Sequence, residues 1–470
     1  MKKICMITLV PRNITSRLNI GIEFIKRSIE DFGWSCDLYN YDDVIDNLNQ
    51  YDIIGFNIFY NNQIFNLIPF LKNNNIEVDV NKRDIKPLLI AGGQGLGNPR
   101  PINRIIDIFA LGDGEDNIQR ILRAYGDNDY SSLLGVEGIY FPKYNTPITY
   151  AHIEEIKSDI VYTRYNESVI ELNRGCRYKC KFCQYSYLAG KYREKPLDLV
   201  EDQLIQARIM GANRVNLMSC NLTGYRNIDK LLDLCYEHNI EIRNTDVRIN
   251  EYSKVSERLF KLGLGYIKTG LESFSEETRM DVSKGITDKQ LYYVMEDSML
   301  NNDITYIHLF LIWGLPTDTD DRIHRIYEVI RDLEDMRNSV TSRQIKLDYS
   351  FTNFQPSYGT PLADSPMVDF DRKEKFFHEY WEFLKEIGKA PKEGVSFQWG
   401  NYGVFRPGKR EIAYKIHMWL ERGGEEINDI LMKINYNGVH TRVNKWLARH
   451  LIDAGADLKL SDDALERVWK

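Results

Sequence analysis

Twice along this chain, short apolar runs alternate with amphipathic stretches, and that alternation restricts the fold more than any other feature. "KKICMITLV", "YDIIGFNIFY", "KPLLIAGGQGLGNPRPI" and "IIDIFALGDGE" read as buried strands, and "LNIGIEFIKRSIEDFG" has helical spacing with a glycine stop. Strands alternating with helices form parallel sheets covered on both faces. The glycines of this first series fall at strand C-terminal ends, where open α/β sheets place their crevice.

The second series begins at "ESVIELNRGC" and continues through "ANRVNLMSC", "NIEIRNTDV", "LGYIKTGLE", "TYIHLFLIWG" and "IKLDYSFTNF", with helical segments between. Six such units predict an incomplete parallel barrel whose chemistry lies at the strand C-terminal ends. From about Asp369 the pattern turns helical. The expected divisions are 1–150, 160–365 and 366–470, with the irregular stretch near 140–156 as linker. A chain of 470 residues suits two or three domains.

Net charge is -7, which gives no support for nucleic-acid binding by the whole surface and leaves a local basic patch open. Seven cysteines, mostly scattered singly, point to a reducing, cytoplasmic setting. "MKKICMITLV" precedes "PRNITSR" without a small-residue cleavage site, so a first strand is expected rather than a signal peptide. No apolar stretch reaches the length of a membrane span.

Cys176, Cys180 and Cys183 stand as C-x3-C-x2-C just beyond the first barrel strand. Thiolates are the usual ligands of iron–sulfur clusters, and these spacings let one loop wrap three corners of a cube. Arg177, Lys179 and Lys181 add positive charge that favours thiolates. A zinc site borrowing a distant fourth ligand, or plain buried cysteines, is the alternative on spacing alone.

"RGCRYKCKFC" resembles the signature of the radical SAM superfamily, in which an aromatic residue, here Phe182, precedes the last cysteine. The resemblance implies a [4Fe-4S] cluster whose open iron chelates S-adenosylmethionine, an external one-electron reductant, and a 5′-deoxyadenosyl radical that abstracts hydrogen from substrate. "GLES" resembles the family's fourth-strand region and implies Glu272 and Ser273 beside SAM. "LFLIWGLP" resembles the fifth-strand turn and implies Leu311 to Gly314 near adenine, and "PSYGTP" resembles the closure after the sixth strand. The second strand departs from the family pattern. It ends "NLMSCNLTGY" instead of a Gly-Gly-Glu-like turn, so Ser219, Asn221 or backbone carbonyls are the candidates for the SAM amine.

The first region resembles the cobalamin-binding-like domain that a subgroup of these proteins carries, which implies a flavodoxin-like fold. The first histidine is His152, beyond that domain, so no histidine of the domain can ligate cobalt. The expectation is a domain that keeps the fold without cobalamin, with "GDGE" as a tight turn facing the barrel and Phe59, Tyr60, Asn61 and Asn62 filling the space of a corrin ring. Cobalamin bound without a protein ligand stays open.

Two further residues are carried as catalytic candidates. Cys220, at a strand end, has the position of a hydrogen-atom donor, against the plainer reading as a small buried hydrophobe. Tyr192 has the chemistry of an electron or hydrogen relay, against simple packing. Basic and aromatic residues interleave over 402–449, which suits either a nucleotide grip or an amphipathic helical cap. The expected function is hydrogen abstraction from an unactivated C–H, with a nucleotide or nucleic acid slightly ahead as substrate of a peptide or small metabolite. The alternatives are cobalamin-dependent methyl transfer and a non-enzymatic iron–sulfur or zinc sensor.

Overall fold

The computed structural model describes residues 2–10, 20–45, 47–83, 86–164, 166–243, 247–254, 256–301, 303–340, 345–367, 370–388, 407–434 and 445–469. The first series builds one six-stranded sheet from β1 (Lys3–Thr8), β2 (Ser35–Asn40), β3 (Ile53–Asn57), β4 (Leu88–Gly92), β5 (Ile108–Ala110) and β6 (Ile139–Tyr140). Its order is β2-β1-β3-β4-β5-β6, with only β6 antiparallel. This is the flavodoxin-like arrangement that the alternation predicts. Helices α1 (Ile20–Asp31) and α3 (Glu115–Asp127) bury Ile22, Ile29, Ile118 and Ile121 on one face. On the other face α2 (Ile64–Asn73) is the helix this region contributes, because β4 and β5 are joined with no α-helix between them.

The second series forms β7 (Tyr162–Arg164), β8 (Glu167–Glu171), β9 (Asn173–Arg174), β10 (Arg193–Glu194), β11 (Arg214–Met218) and β12 (Glu241–Arg243). After these come β13 (Tyr266–Glu272), β14 (Tyr306–Trp313) and β15 (Lys346–Asn353). The six barrel strands are β8, β11 and β12 in one sheet and β13, β14 and β15 in another, parallel within each and in chain order. The helices that punctuate them are α4 (Gln184–Leu188), α5 (Leu197–Ile209), α6 (Ile228–Glu237), α7 (Ser256–Lys261), α8 (Glu276–Asp281), α9 (Asp288–Leu300) and α10 (Asp320–Val340). Thr287 and Gln290 close a reciprocal capping box that starts α9 sharply. Alternate strand residues such as Val215, Leu217, Ile267, Leu271, Ile307 and Leu309 join the core beneath the helices. Their neighbours therefore face the barrel interior.

The C-terminal helices divide between the two bodies. Helix α11 (Phe370–Glu386) lies on the barrel, where Phe376 stacks on Trp313 at 4.2 Å between ring centroids. Helices α12 (Pro407–Arg422), α13 (Glu426–Lys433), α14 (Lys445–Asp453) and α15 (Asp462–Trp469) instead cover the under-dressed face of the N-terminal sheet. Ile412, Ile416, Leu420, Ile427 and Leu431 share its core with Phe56, Phe65 and Leu89. The stretch near 140–156 packs back on the same domain, with Ile156 fully buried and Ala151 bridged to Gly112.

Candidate active site

The cysteine loop leaves the barrel at Gly175, whose φ of 72° and lack of a side chain are both required. A Cβ there would stand 2.4 Å from the Lys191 carbonyl. Cys180 is buried, while Cys176 and Cys183 are half-buried. The loop is held by Lys181 N donating to Val282 O at 2.9 Å and Cys183 N donating to Cys180 O at 3.0 Å. Tyr187 Oη donates to Lys179 O at 3.1 Å.

A hydrogen bond from the Cys220 thiol lowers the Cys176 thiol to about 6, and the Tyr178 amide and Ser186 hydroxyl act in the same direction. Burial raises Cys180, offset by the positive charges of Lys284 and Arg248. The donor set suits an iron–sulfur cube: three thiols on one loop, beside two buried cations. Arg248 keeps one donor unused. Its Nε–H is buried with no protein partner, although the guanidinium lies 3.5 Å from the centroid of the Tyr178 ring and donates to the Lys284 carbonyl. A buried donor left unused is open to an acceptor from outside the chain, solvent or ligand.

Glu272 is brought to the same place. Its carboxylate accepts from Lys284 Nζ at 2.7 Å, and its charge is felt at Cys180. The residue sits at φ 71°, strained for any side chain but glycine, and folds back over Gly270. Ser273 follows, its hydroxyl accepting from Ser275 N at 3.1 Å and its carbonyl from the fully buried Arg279 at 2.8 Å. Lys284 and Arg248 escaped the sequence reading. Neither lies in a motif, and only the fold carries them to the cysteines.

At the end of β11, Ser219 Oγ accepts from Asn173 Nδ2 at 2.5 Å and from Asn221 N at 3.1 Å. Asn221 Nδ2 donates to Glu251 Oε2 at 2.5 Å, and Tyr178 Oη donates to Glu251 Oε1 at 2.5 Å. The Cys220 sulfur lies against the cysteine loop, 3.0 Å from Gly175 O. Tyr192 Oη donates to Glu194 Oε1 at 2.8 Å, under the Arg177 guanidinium 4.3 Å from its ring centroid. Its phenol is therefore tied to a carboxylate in the structure.

Phe182 packs with Val282, Leu315 and Phe354, which anchors the loop to the ends of β14 and β15. Gly314 takes φ 77° in the turn that follows β14. Leu311 turns its side chain away from the barrel interior. Its side chain is 1% exposed in the core beneath the helices, because it lies one residue out of phase with the inner face, so only its backbone borders the interior.

The "GDGE" turn does face the barrel. Arg174 pairs with Asp113 at 3.2 Å, Glu115 at 2.6 Å and Glu171 at 2.7 Å, and Arg193 pairs with Asp113 at 2.6 Å. Helix α1 reaches into the barrel, where Ile20 and Phe24 cover Val169 and Met218. The glycine run after β4 is largely closed by the chain itself. A Cβ at Gly95 would meet the Phe59–Tyr60 backbone at 2.7 Å, and one at Gly97 would meet the Gln184 amide at 2.3 Å. Phe59 and Tyr60 stand beside this run. They are 36% and 59% exposed, stacked edge-to-face at 4.7 Å.

Much of the basic, aromatic C-terminal stretch, including Tyr402, Phe405, Arg406, Tyr436 and Arg442, lies outside the described residues. Within them, Trp419 packs against the N-terminal core and Arg422 donates to Ala363 O at 3.0 Å. Among the described residues, no helix is long and apolar enough to cross a membrane.

A model of the radical SAM superfamily matches residues 170–330, and one of radical SAM proteins, N-terminal, matches residues 38–138. An uncharacterized protein of Methanocaldococcus jannaschii is 23% identical over 397 residues, covering 82% of this chain and 79% of that one. The ribosomal protein uS12 methylthiotransferase RimO of Sulfurihydrogenibium sp. is 24% identical over 229 residues, covering 46% of this chain and 50% of that one. The chain thus matches about half the length of that methylthiotransferase. Among solved structures, the radical S-adenosylmethionine methyltransferase TsrM of Kitasatospora setae superposes with TM-score 0.56 at 10% identity, over 77% of this chain and 75% of that one. The cobalamin-dependent S-adenosylmethionine radical enzyme OxsB does so with TM-score 0.56 at 13% identity, over 81% and 62%. These two likenesses concern the fold. With both domain models matched in order and the cysteine loop assembled at the mouth of the barrel, the chain belongs to the radical SAM superfamily of enzymes.

Proposed function

We propose that this enzyme cleaves S-adenosylmethionine reductively at a [4Fe-4S] cluster held by Cys176, Cys180 and Cys183, and abstracts hydrogen from an unactivated C–H of its substrate. When bound, cluster and SAM supply the electron and the 5′-deoxyadenosyl radical that takes the hydrogen. The residues present account for binding and orientation. Lys284 and Arg248 offset the charge of the thiolates, Glu272 is poised at the cofactor side, and Phe182 fixes the loop to the barrel. The observation that carries the reading is the meeting of the cysteine loop with the Glu272–Lys284 pair at Cys180. A nucleotide or nucleic-acid base is the substrate class favoured, supported by relatives named as a tRNA-2-methylthio-N(6)-dimethylallyladenosine synthase and a probable threonylcarbamoyladenosine tRNA methylthiotransferase. Protein purified without oxygen is expected to carry about four irons and to release 5′-deoxyadenosine under a low-potential reductant. Each single Cys→Ala variant is expected to lose both. Stoichiometric zinc without iron would refute the reading.

A second reading, methyl transfer through cobalamin in the N-terminal domain, has one observation in its favour. Asn57 Nδ2, at the end of β3, is buried without a protein partner and is a spare donor at the strand-end crevice. The closed glycine run favours the domain without cobalamin. Hydroxocobalamin retained near one equivalent after desalting would put methyl transfer first.

A further inference from the structure

The half of the barrel interior formed by β13, β14 and β15 carries an aromatic surface to which no role has been given. Ile307, Leu309, Leu311 and Trp313 of β14 point into the core, so Tyr306, His308 and Phe310 share the inner face. Phe310 is 37% exposed there. Single exposed aromatics such as Tyr236 and Tyr293, on helices, need no explanation. Phe310 differs because it is on a barrel wall and is held rigidly.

His308 stacks on Phe310 at 4.3 Å between ring centroids, with 29° between planes. Both its nitrogens are engaged, Nδ1 with Tyr306 Oη at 2.9 Å and Nε2 with Ser350 Oγ at 2.6 Å. Tyr306 Oη donates to Asp348 Oδ2 at 2.7 Å. The tyrosine has one proton to give, so its oxygen accepts from His308 Nδ1–H, and the buried Ser350 hydroxyl donates to Nε2. The imidazole is thereby fixed in tautomer and plane. It serves as a backing for Phe310 rather than as a free base.

The location is specific as well. Phe310 is in register with Gly270 on β13, and the space beside Gly270 is taken by the Glu272 carboxylate and Lys284 ammonium, 2.4 and 3.0 Å from where a Cβ would stand. The register shifts between Gly270 and Glu272, so Glu272 pairs with Leu311 and Phe310 stands one strand position, roughly 3.4 Å, below the residue assigned to SAM. The opposite wall, at Val169 and Met218, is already covered by helix α1.

We propose that Phe310 is the substrate platform, and that a planar aromatic ring of the substrate, a nucleobase or an aryl side chain, stacks on its open face beside the Glu272–Lys284 pair. This rests on the radical SAM reading only in placing the cofactor above it. A pre-organised ring gives up little freedom when it binds, and every aromatic heterocycle offers a face to it.

The test uses cluster-loaded enzyme and two sets of probes, the four nucleoside monophosphates and the amino acids tryptophan and tyrosine. Ribose 5-phosphate and leucine are the non-aromatic controls. Saturation-transfer NMR is expected to show ring protons of one aromatic set in contact with the protein, and the set that binds identifies the source of the ring. Phe310→Ala is expected to weaken that probe roughly five- to 150-fold, the range of one lost stacking contact. Phe310→Leu, which keeps bulk without a π-face, should weaken it too, while Phe310→Tyr should restore it. Aromatic probes that bind no better than the controls, or equal binding by wild type and Phe310→Ala, would overturn the proposal. Iron content and SAM cleavage of the wild-type enzyme report separately on the underlying reading.

Discussion

Arg174 and Asp113 form an ion pair 3.2 Å long that ties the first domain to the residue two places before Cys176. Asp113 also takes Arg193 at 2.6 Å, and all three side chains are 10–15% exposed. A buried carboxylate between two guanidinium groups makes the docking of the domains and the seating of the cysteine loop one event. Asp113→Ala leaves Arg174 with Glu115 and Glu171 but takes from Arg193 the carboxylate it pairs with. We expect a loss of roughly 3 kcal/mol in stability, since removing one partner strands a buried charge. Asp113→Asn should lose less. Denaturant unfolding measures both, and equal stability of wild type and Asp113→Ala would remove the pair from this role.

Glu272 allows backbone and carboxylate to be separated. Glu272→Gly relaxes the φ of 71°, and Glu272→Ala keeps the strain, while both delete the partner of Lys284. If the carboxylate is what matters, both variants keep the cluster and weaken SAM binding by roughly tenfold or more, as for a lost charge-assisted hydrogen bond. Equilibrium SAM binding to the reconstituted variants decides this. Unchanged affinity would detach Glu272 from the cofactor.

Asp318 gives stability a pH dependence. Burial pushes its carboxyl up from 3.8 to about 6, against hydrogen bonds from Thr278 and from the backbone at Leu315 and Gly314. The folded chain holds this proton more tightly than the unfolded one. Its contribution is therefore complete below pH 3.8 and is lost as pH rises through about 6. Asp318→Asn stays neutral throughout, so it should gain roughly 2 kcal/mol on wild type between pH 4 and pH 7. Urea unfolding at those two pH values tests it, and a constant difference between the proteins would refute it.

Glu421, 5% exposed on α12, accepts from three separate parts of the molecule. Asn61 Nδ2 comes from the first domain at 2.8 Å, Gln184 Nε2 from the helix after Cys183 at 3.1 Å, and Tyr358 N from the turn that closes the barrel at 2.9 Å. Glu421→Ala takes an acceptor from three half-buried donors, of which Gln184 Nε2 keeps the Tyr358 carbonyl at 3.1 Å, and should cost roughly 2 kcal/mol. Glu421→Gln keeps an acceptor oxygen and should recover part of it. Thermal unfolding of the two variants reads the difference, and identical curves would show the junction to be incidental.

Local pattern carried most of the framework. The C-x3-C-x2-C spacing, the glycine that opens its loop and the strand-helix alternation all act within a few residues of one another, so they are written in consecutive letters. The "GDGE" turn was legible for the same reason, and so was the position of Glu272. The direction of the Leu311 side chain was not legible, because a motif names a strand end without saying which residues face inward. That phase depends on which face of β14 the helices cover.

What the sequence by itself determined is the order of elements, the thiol loop and the strand ends that surround it. Tertiary structure alone decided that Lys284 and Arg248 stand at Cys180, that Glu421 joins three parts of the chain, and that α12 to α15 complete the core of the first domain. Asn61 and Glu421 are 360 positions apart, and no periodicity spans such a distance. Contacts of that kind are chosen by which apolar faces remain uncovered once the local elements have formed. Burial then sets which charges must find each other, since an unpaired charge inside the protein is too costly to keep.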